Sequence, residues 1–434
     1  MKTSIQYTGV RRPESGTKLS IVNCQLTIGF IAMLLLSMNV QGQSISLDSI
    51  LRVIEKQNPM LQTYRNRVDA RQAYVAGSKG IMAPEVGGGL WMFPYQKQDA
   101  GMNDPRQIML SVSQTFTNPA KLKANEKYFG SQASIEQTRE RRAFNELRAQ
   151  AKIAYYRWYV YEQKRAALRE SESILTLMIK IGQLRFPYNQ SKLSSIYKAE
   201  GRLYEIQNMQ VMNENEIHQQ QTVLKQLMNL PHETQIALDS TSIPADVEIM
   251  TIDTTLLVNS RSDLRQLDQT IQSMRLSQTL EKAQTKPDFN LSFNHMISVG
   301  EGMPNQFMLL GMVTIPIAPW SSKMYKANVQ GMNYEIESMK TERLAILNEV
   351  QGMTTNMIAE IKTLRKQLEN YQLRILPALQ KNYETLMLAY EENKEELPMV
   401  IEGWETVNMT QLQYLDTLAR YYEMIVNYEK EIEK

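Results

Sequence analysis

The chain has 434 residues, with 48 Lys and Arg against 46 Asp and Glu and a formal net charge of +2. A nearly neutral chain lacks the basic field with which proteins bind nucleic acids, so nucleic acid is excluded as a partner. A chain of this length can form two or three ordinary domains or one very elongated domain.

The first 42 residues are typical of a secretory signal peptide. Basic residues precede an apolar run at 28–38, and small residues follow before a cleavage site ahead of Gln43. The run is too short to span a bilayer, which takes a helix of about 20 residues; the alternative is a retained N-terminal anchor. The only cysteine, Cys24, lies before the run. We therefore expect a mature chain without a disulfide or a lipid-bearing cysteine.

Landmark residues recur at a nearly constant spacing of 201 to 203 positions. The pairs are Leu61 and Leu264, Pro84 and Pro287, Val112 and Val313, and Tyr188 and Tyr390. Such a spacing predicts a tandem duplication. We place repeat one at 43–231, a linker at 232–250 and repeat two at 251–434.

The two repeats have the same predicted elements in the same order. These are a helix (about 47–83 and 253–284), a β-hairpin (85–117 and 287–318), a long helix (about 120–186 and 320–389) and a return helix (about 192–230 and 397–433). A proline ends the first helix of each repeat, and Gly, Asn, Asp and Pro separate the strands. Apolar residues spaced alternately three and four apart indicate coiled-coil packing of the long helices. A helix of about 67 residues is about 100 Å long, which no compact globule needs.

Two of the predicted strands alternate between apolar and polar residues, and 288–294 does so strictly. The apolar positions are Ile108, Leu110, Val112, Phe289, Leu291 and Phe293, and the polar ones are Gln107, Ser111, Ser113, Asn290, Ser292 and Asn294. The predicted fold class is therefore mainly α with a small β part.

Three motifs, taken in this order of elements, resemble the TolC family of outer-membrane efflux proteins. Asn58-Pro-Met-Leu61 is similar to the signature of the family's first helix, and Leu224-Lys-Gln-Leu-Met-Asn-Leu-Pro231 to the phrase that closes its first half. Tyr390 followed by Trp404-Glu-Thr-Val-Asn is similar to a stretch of its second helical hairpin. The resemblance covers essentially the whole mature chain.

The resemblance implies a homotrimer in the outer membrane. Its long helical hairpins would form a periplasmic α-barrel, and its four strands per chain would contribute to a 12-stranded β-barrel in contact with lipid. Four strands alone are too few to close a barrel, since eight is the small end. The implied function is passive: a conduit without cofactor or enzymatic activity, which receives solutes from an inner-membrane pump through a periplasmic adaptor.

The resemblance also implies two sets of site residues. The adaptor would contact the helical tips at Pro187, Tyr188, Asn189, Gln190, Glu391, Glu392, Asn393 and Lys394. Both tips lack the glycine of the family's tip motif, and Pro187 is a further departure. Glu402 falls where the family places the second of two inward-pointing acidic residues, and three copies of it would form an acidic ring at the channel entrance. Met399 occupies the first of these positions.

Two alternatives remain open from the sequence. The chain has 27 methionines, and Met296, Met303, Met308 and Met312 lie around the second hairpin, where thioethers could bind a soft metal ion. Methionine is, however, more often a filler of irregular helix contacts, and His218, His232 and His295 lack ligand spacing. The other alternative is a periplasmic coiled-coil scaffold or adaptor-like protein. No nucleotide-binding or catalytic motif is present.

Overall fold

The computed structural model describes residues 43–95, 104–239, 260–300, 303–316 and 319–433. The predicted signal peptide and the predicted linker from residue 240 onward lie outside the described residues. Within them the chain is mainly helical with a small sheet, so the predicted fold class is confirmed. No helix in these ranges is both long and apolar enough to cross a membrane.

Repeat one begins with a short strand and ends with a helical hairpin. Its elements are β1 (Gln43–Ile45), α1 (Leu47–Gln57), α2 (Pro59–Gly77), β2 (Glu85–Trp91), β3 (Gln107–Phe116), α3 (Pro119–Arg185) and α4 (Leu193–Leu227). The single helix expected at about 47–83 is in fact two helices, because Pro59 has no N–H with which to continue α1. A short strand inside the predicted linker, β4 (Ile236–Leu238), pairs in parallel with β1.

Repeat two follows the same order, and its first helix is also interrupted, since Ser260 is helical, Arg261 is extended with a ψ of 124°, and a helix begins again at Ser262. Its described elements are α5 (Ser262–Ala283), β5 (Asp288–Ser298), β6 (Gln306–Thr314), α6 (Pro319–Asn370), a π-helical turn (Tyr371–Ile375), α7 (Leu376–Glu391) and α8 (Leu397–Ile432). The long helix expected at about 320–389 therefore contains one turn of wider helix, directly before Pro377. Proline cannot donate the hydrogen bond to the carbonyl four residues back, and a π-turn is a common local adjustment in such helices.

The two hairpins form one antiparallel sheet with the order β2-β3-β5-β6. The repeats meet in its centre, where β3 pairs with β5 over ten residues and Val112 lies opposite Phe293. The chain enters and leaves both hairpins at the same end of the strands. All the helices therefore lie beyond that end of the sheet. The sheet and the helical hairpins thus form two ends of one elongated chain.

Buried side chains form two clusters along the helices. One is centred on Trp158 and Tyr155 of α3 and includes residues of α1, α4, α6 and α8. The other lies toward the helical tips, where Leu175, Ile196 and Trp404 join α3, α4 and α8. The seam of apolar residues in the sequence is therefore used to pack the two hairpins against each other.

Asn58 connects two of the motifs that carry the family resemblance. Its side-chain oxygen accepts a hydrogen bond from the Met60 amide at 2.9 Å and so caps α2. Its side-chain amide donates to the Leu227 carbonyl at the end of α4, at 2.8 Å. The side chain is buried, 5% exposed. An asparagine is required here because one group must accept and the other must donate.

Substitution Asn58→Asp should therefore lower the free energy of unfolding by about 1–3 kcal/mol, because a carboxylate oxygen would face the Leu227 carbonyl without a proton to donate. Urea unfolding in detergent, followed by circular dichroism, measures the change. Asn208→Asp, on the exposed surface of α4, is the control and should change stability little. Equal effects of the two substitutions would contradict the capping role.

An ion cluster joins the start of α5 to the end of α8. The Arg261 guanidinium donates to Asp263 at 2.6 Å and to the Glu431 carboxylate at 2.6 Å. Burial alone would raise the pKa of Asp263, but the hydrogen bonds and charge of Arg261 more than offset it, and the pKa is lowered. Through the contact of Arg261 with Glu431, the cluster thus joins the two ends of repeat two.

Stability should consequently fall in acid. With its pKa lowered in the folded state, Asp263 stabilises the fold at pH values above its ordinary pKa of 3.8, and this contribution is lost as the pH falls through the lower folded value. Urea midpoints at pH 6 and pH 3 should differ more for the native chain than for Asp263→Asn. If Asp263→Asn and the native chain had the same pH dependence, the pairing of Asp263 with Arg261 would not contribute to stability.

Candidate functional site

One face of the sheet is apolar and exposed. Residues paired across antiparallel strands lie on the same face, and register places the apolar side chains of all four strands together. They are Val86, Leu90, Ile108, Leu110, Val112, Phe116, Phe289, Leu291, Phe293, Phe307, Leu309 and Val313, and all are exposed. Their number on one face of a small sheet far exceeds the scattered apolar residues of an ordinary surface.

The opposite face of the two central strands is mainly polar. It carries Gln107, Ser111, Ser113, Thr115, Asn290, Ser292, Asn294 and Ser298. Asn290 donates from its side-chain amide to Thr115 Oγ1 at 2.9 Å, and Asn294 donates to Ser292 Oγ at 3.3 Å. Ser292 is only 8% exposed, so neighbouring residues cover part of this face. The alternation seen in the sequence is therefore present in the sheet.

The apolar face is as long as a membrane-spanning β-strand. From Phe289 to Ile297 the strand β5 runs nine residues, which at about 3.4 Å each is about 27 Å between its end residues. A β-strand that crosses a membrane has about 9–11 residues and is tilted by about 45°.

The helical tips lie at the far end of the molecule from the sheet. In the first, α3 ends in a 3₁₀ turn that contains Pro187 and Tyr188, and Asn189 has a φ of 61°. In the second, α7 ends at Glu391, and Asn393 has a φ of 59°. Asparagine is among the few residues other than glycine that adopt this left-handed conformation readily. Asparagine thus lets both tips turn without the glycine that the resemblance led us to expect there.

Arg185 holds the two tips together. Its guanidinium donates to the Tyr390 carbonyl at 2.7 Å, to the Glu391 carbonyl at 3.1 Å and to the Asn393 side-chain oxygen at 3.2 Å. The same group lies 4.4 Å from the centre of the Tyr390 ring, within the range of a cation–π contact. The predicted tip residues from the two repeats are thus brought into one surface, with a cavity of about 340 Å³ between them.

Three ion pairs continue this contact between the return helices α4 and α8. Lys192 pairs with Glu396 at 2.7 Å, Lys198 with Glu402 at 3.0 Å, and Arg202 with Glu405 at 2.7 Å. The pKa of Arg202 is raised, mainly by its hydrogen bond to Glu205 and further by the charge of Glu405. Each pair places a base of repeat one against an acid of repeat two.

Glu402, predicted to form an entrance ring, is exposed at the tip end of α8. Lys198 offsets its charge within the same chain. Arg185, Lys192 and Lys198 were not among the predicted site residues. A signal for the two lysines exists in the sequence, because the offset of 204 between Asn189 and Asn393 also relates Lys192 to Glu396 and Lys198 to Glu402.

The methionines near the second hairpin are divided between environments. Met296, Met308 and Met312 lie on the largely polar face of the sheet, whereas Met303 lies in the connection before β6. His295 lies on the apolar face, opposite Leu110. In the part of the chain that the structure describes, no three or more His, Cys, Asp or Glu residues are grouped to hold a metal ion. Metal binding by the methionines stays a hypothesis.

No protein-family model and no curated protein sequence matches the chain. Solved structures do. CusC, described as forming a transmembrane channel, has a TM-score of 0.73 at 13% identity, over 90% of this chain and 92% of CusC. The CmeC outer membrane channel of Campylobacter jejuni has a TM-score of 0.68 at 13% identity, over 98% and 94% of the two chains. The MtrE outer membrane channel of Neisseria gonorrhoeae has a TM-score of 0.70 at 13% identity, over 89% and 88%.

These solved outer-membrane channels share one elongated fold, in which a small sheet is joined to long helical hairpins. The chain has this fold over nearly its whole described length, and the TolC-like fold predicted from the three motifs is confirmed. At 13% identity the likeness concerns the fold.

The sheet faces yield a direct test. Val112→Arg places a charge on the apolar face and should cost about 2–4 kcal/mol per chain if that face meets lipid. Ser113→Arg, one residue along on the polar face, should be tolerated, because its cross-strand partner Glu85 can pair with it. The yield of assembled protein extracted from membranes measures both. Equal yields would show that neither face contacts lipid.

Proposed function

We propose that this chain is the outer-membrane channel of a tripartite efflux or export system. It would work as a homotrimer located in the outer membrane, with its helical hairpins in the periplasm, and conduct solutes passively to the exterior. The fold supports this proposal, and so does the two-faced sheet. The apolar face suits lipid, and the face with Asn290, Ser292 and Asn294 suits a water-filled interior.

The observation that carries the proposal is the incompleteness of the sheet. Among the described strands, β2 and β6 pair on one side only. Unpaired backbone groups cannot be left facing lipid, since each costs several kcal/mol. Three copies related by a threefold axis would pair β6 of one chain with β2 of the next and close a barrel of 12 strands. A chain in isolation has no comparable way to satisfy these edges.

The tips are the proposed contact with a periplasmic adaptor, through which an inner-membrane pump would supply the energy. The set comprises Pro187, Tyr188, Asn189, Gln190, Glu391, Glu392, Asn393 and Lys394. Both turns are exposed at the end of the molecule, and Arg185 fixes their relative position. A defined, polar surface of this kind suits recognition by another protein.

The scaffold alternative fits the helices but not the sheet. A periplasmic coiled-coil protein would gain nothing from exposing Phe289, Leu291 and Phe293 side by side, because that patch promotes aggregation in water. A role as an enzyme would need a catalytic arrangement, and the chemistry found at the tips consists of ion pairs and backbone contacts. The channel remains the better explanation.

The proposal is tested by fractionation and conductance. The full-length protein should be found in the outer membrane, migrate as a heat-dissociable trimer and form channels in planar bilayers. A monomer in the periplasmic fraction that gives no conductance would contradict it.

Ion selectivity tests the role of Glu402. Three Glu402 carboxylates at the entrance should favour cations, and Lys198 should weaken that preference because it lies 3.0 Å from the carboxylate. Glu402→Gln should therefore lower cation selectivity, measured as the reversal potential in a salt gradient, and Lys198→Met should raise it. Glu391→Gln, on the exposed end of α7, is the control and should leave the potential unchanged. If neither Glu402→Gln nor Lys198→Met shifts it, the entrance ring lies elsewhere.

A further inference from the structure

Lysines lie at every one of the four junctions between the sheet and the helices. The junctions are 78–85, 117–127, 281–288 and 315–326. They contain eight lysines, four acidic residues and no arginine. The lysines are Lys79, Lys121, Lys123, Lys127, Lys282, Lys286, Lys323 and Lys326. At 1.5 Å per helical residue, even Lys127 is within about 12 Å of the start of α3. These residues therefore form a collar at one level of the molecule.

Most of this collar has no internal counter-charge. Lys79 pairs with Glu126 at 2.8 Å, and Lys121 pairs with Asp288 at 2.5 Å. The other six lysines are exposed and form no ion pair with another described residue. They are Lys123, Lys127, Lys282, Lys286, Lys323 and Lys326. Eight lysines against four acids leave the collar with a charge of +4 per chain, in a protein whose total is only +2.

Exposed apolar side chains accompany the lysines at the same level. Trp320 is 82% exposed, and Met324, one turn further along α6, is 75% exposed. Ile81, Met82 and Ile315 are exposed in the connections next to the strands. Lysines beside a large aromatic residue and short apolar residues are typical of a membrane interface, where the ring lies among the headgroups and the ammonium groups reach the water.

We propose that the lysine collar binds the anionic phospholipid headgroups of the leaflet that faces the periplasm. This inference rests on the proposed function, since it needs the sheet to lie in the membrane. A phosphate-bearing surface with net negative charge complements the six free ammonium groups. A zwitterionic surface does not, because its own cationic groups compete for the phosphates.

The charges at the tips strengthen this assignment. There the bases Lys192, Lys198 and Arg202 are each paired with an acid of the second repeat. These three bases are thus neutralised inside the chain, whereas six of the eight collar lysines are left available. An external anionic partner can bind at the collar because its unpaired lysines are available there.

Trp320 supplies a local probe of the lipid. The chain has four tryptophans; Trp158 and Trp404 are buried, 1% and 3% exposed, and Trp91 lies at the opposite end of the sheet. Full-length protein carrying Trp91→Phe would be reconstituted into phosphatidylcholine vesicles that contain either brominated phosphatidylglycerol or brominated phosphatidylcholine. Quenching of Trp320 fluorescence then gives the relative affinity of the collar for the two lipids.

We expect a preference for phosphatidylglycerol of roughly fivefold or more, weakened by high salt. The triple variant Lys286→Gln, Lys323→Gln, Lys326→Gln should bring the ratio close to one. The matched control is Lys362→Gln, Lys366→Gln, Lys381→Gln, three exposed lysines near the end of α6 and in α7, which should leave the ratio unchanged.

Other outcomes separate the two proposals. Conducting channels with equal quenching by both lipids, with no quenching at all, or with the same ratio in both triple variants would overturn the collar and leave the channel intact. Failure to insert or conduct in either vesicle would count against the channel itself. A trimer extracted with bound phosphatidylglycerol, lost in the collar variant and seen by native mass spectrometry, would support the collar independently.

Discussion

Backbone hydrogen bonding at the edges of the sheet is the constraint on which the rest of this structure depends. Four strands with β2 and β6 open at the sides have two rows of unpaired N–H and C=O groups. In water such edges recruit other strands, and in lipid they are prohibitive. The proposed threefold closure answers both problems at once. It also gives the long helices a place, because three sheets arranged in a ring would arrange their helical hairpins in a ring as well.

Much of this architecture can be predicted from the sequence because it follows from the periodicity of neighbouring residues. Strand faces follow from a period of two, as with Phe289, Leu291 and Phe293, and the helical seams follow from spacings of three and four. The break at Asn58 was not predicted, because the apolar pattern runs through it and only the proline marks it. The π-turn before Pro377 is similar: an isolated proline predicts a disturbance but not its form.

The contacts between the tips were harder to predict, since they join residues about 200 positions apart. Glu402 and the turn residues were found by resemblance, which transfers positions and not partners. Arg185 acts through carbonyl oxygens of Tyr390 and Glu391, and a backbone acceptor leaves no trace in the identity of the residue. Tertiary contacts of this kind become visible only when both repeats are placed side by side.

The ion pairs between α4 and α8 also bear on the proposed duplication. Lys192 and Glu396, and likewise Lys198 and Glu402, occupy equivalent places in the two repeats. A protein built from identical halves would have set lysine against lysine, or glutamate against glutamate, at each of these sites. If the chain arose by the proposed duplication, its halves have diverged into complementary forms that are no longer interchangeable. A chain made of repeat one joined to itself would repel along the seam that now holds it together.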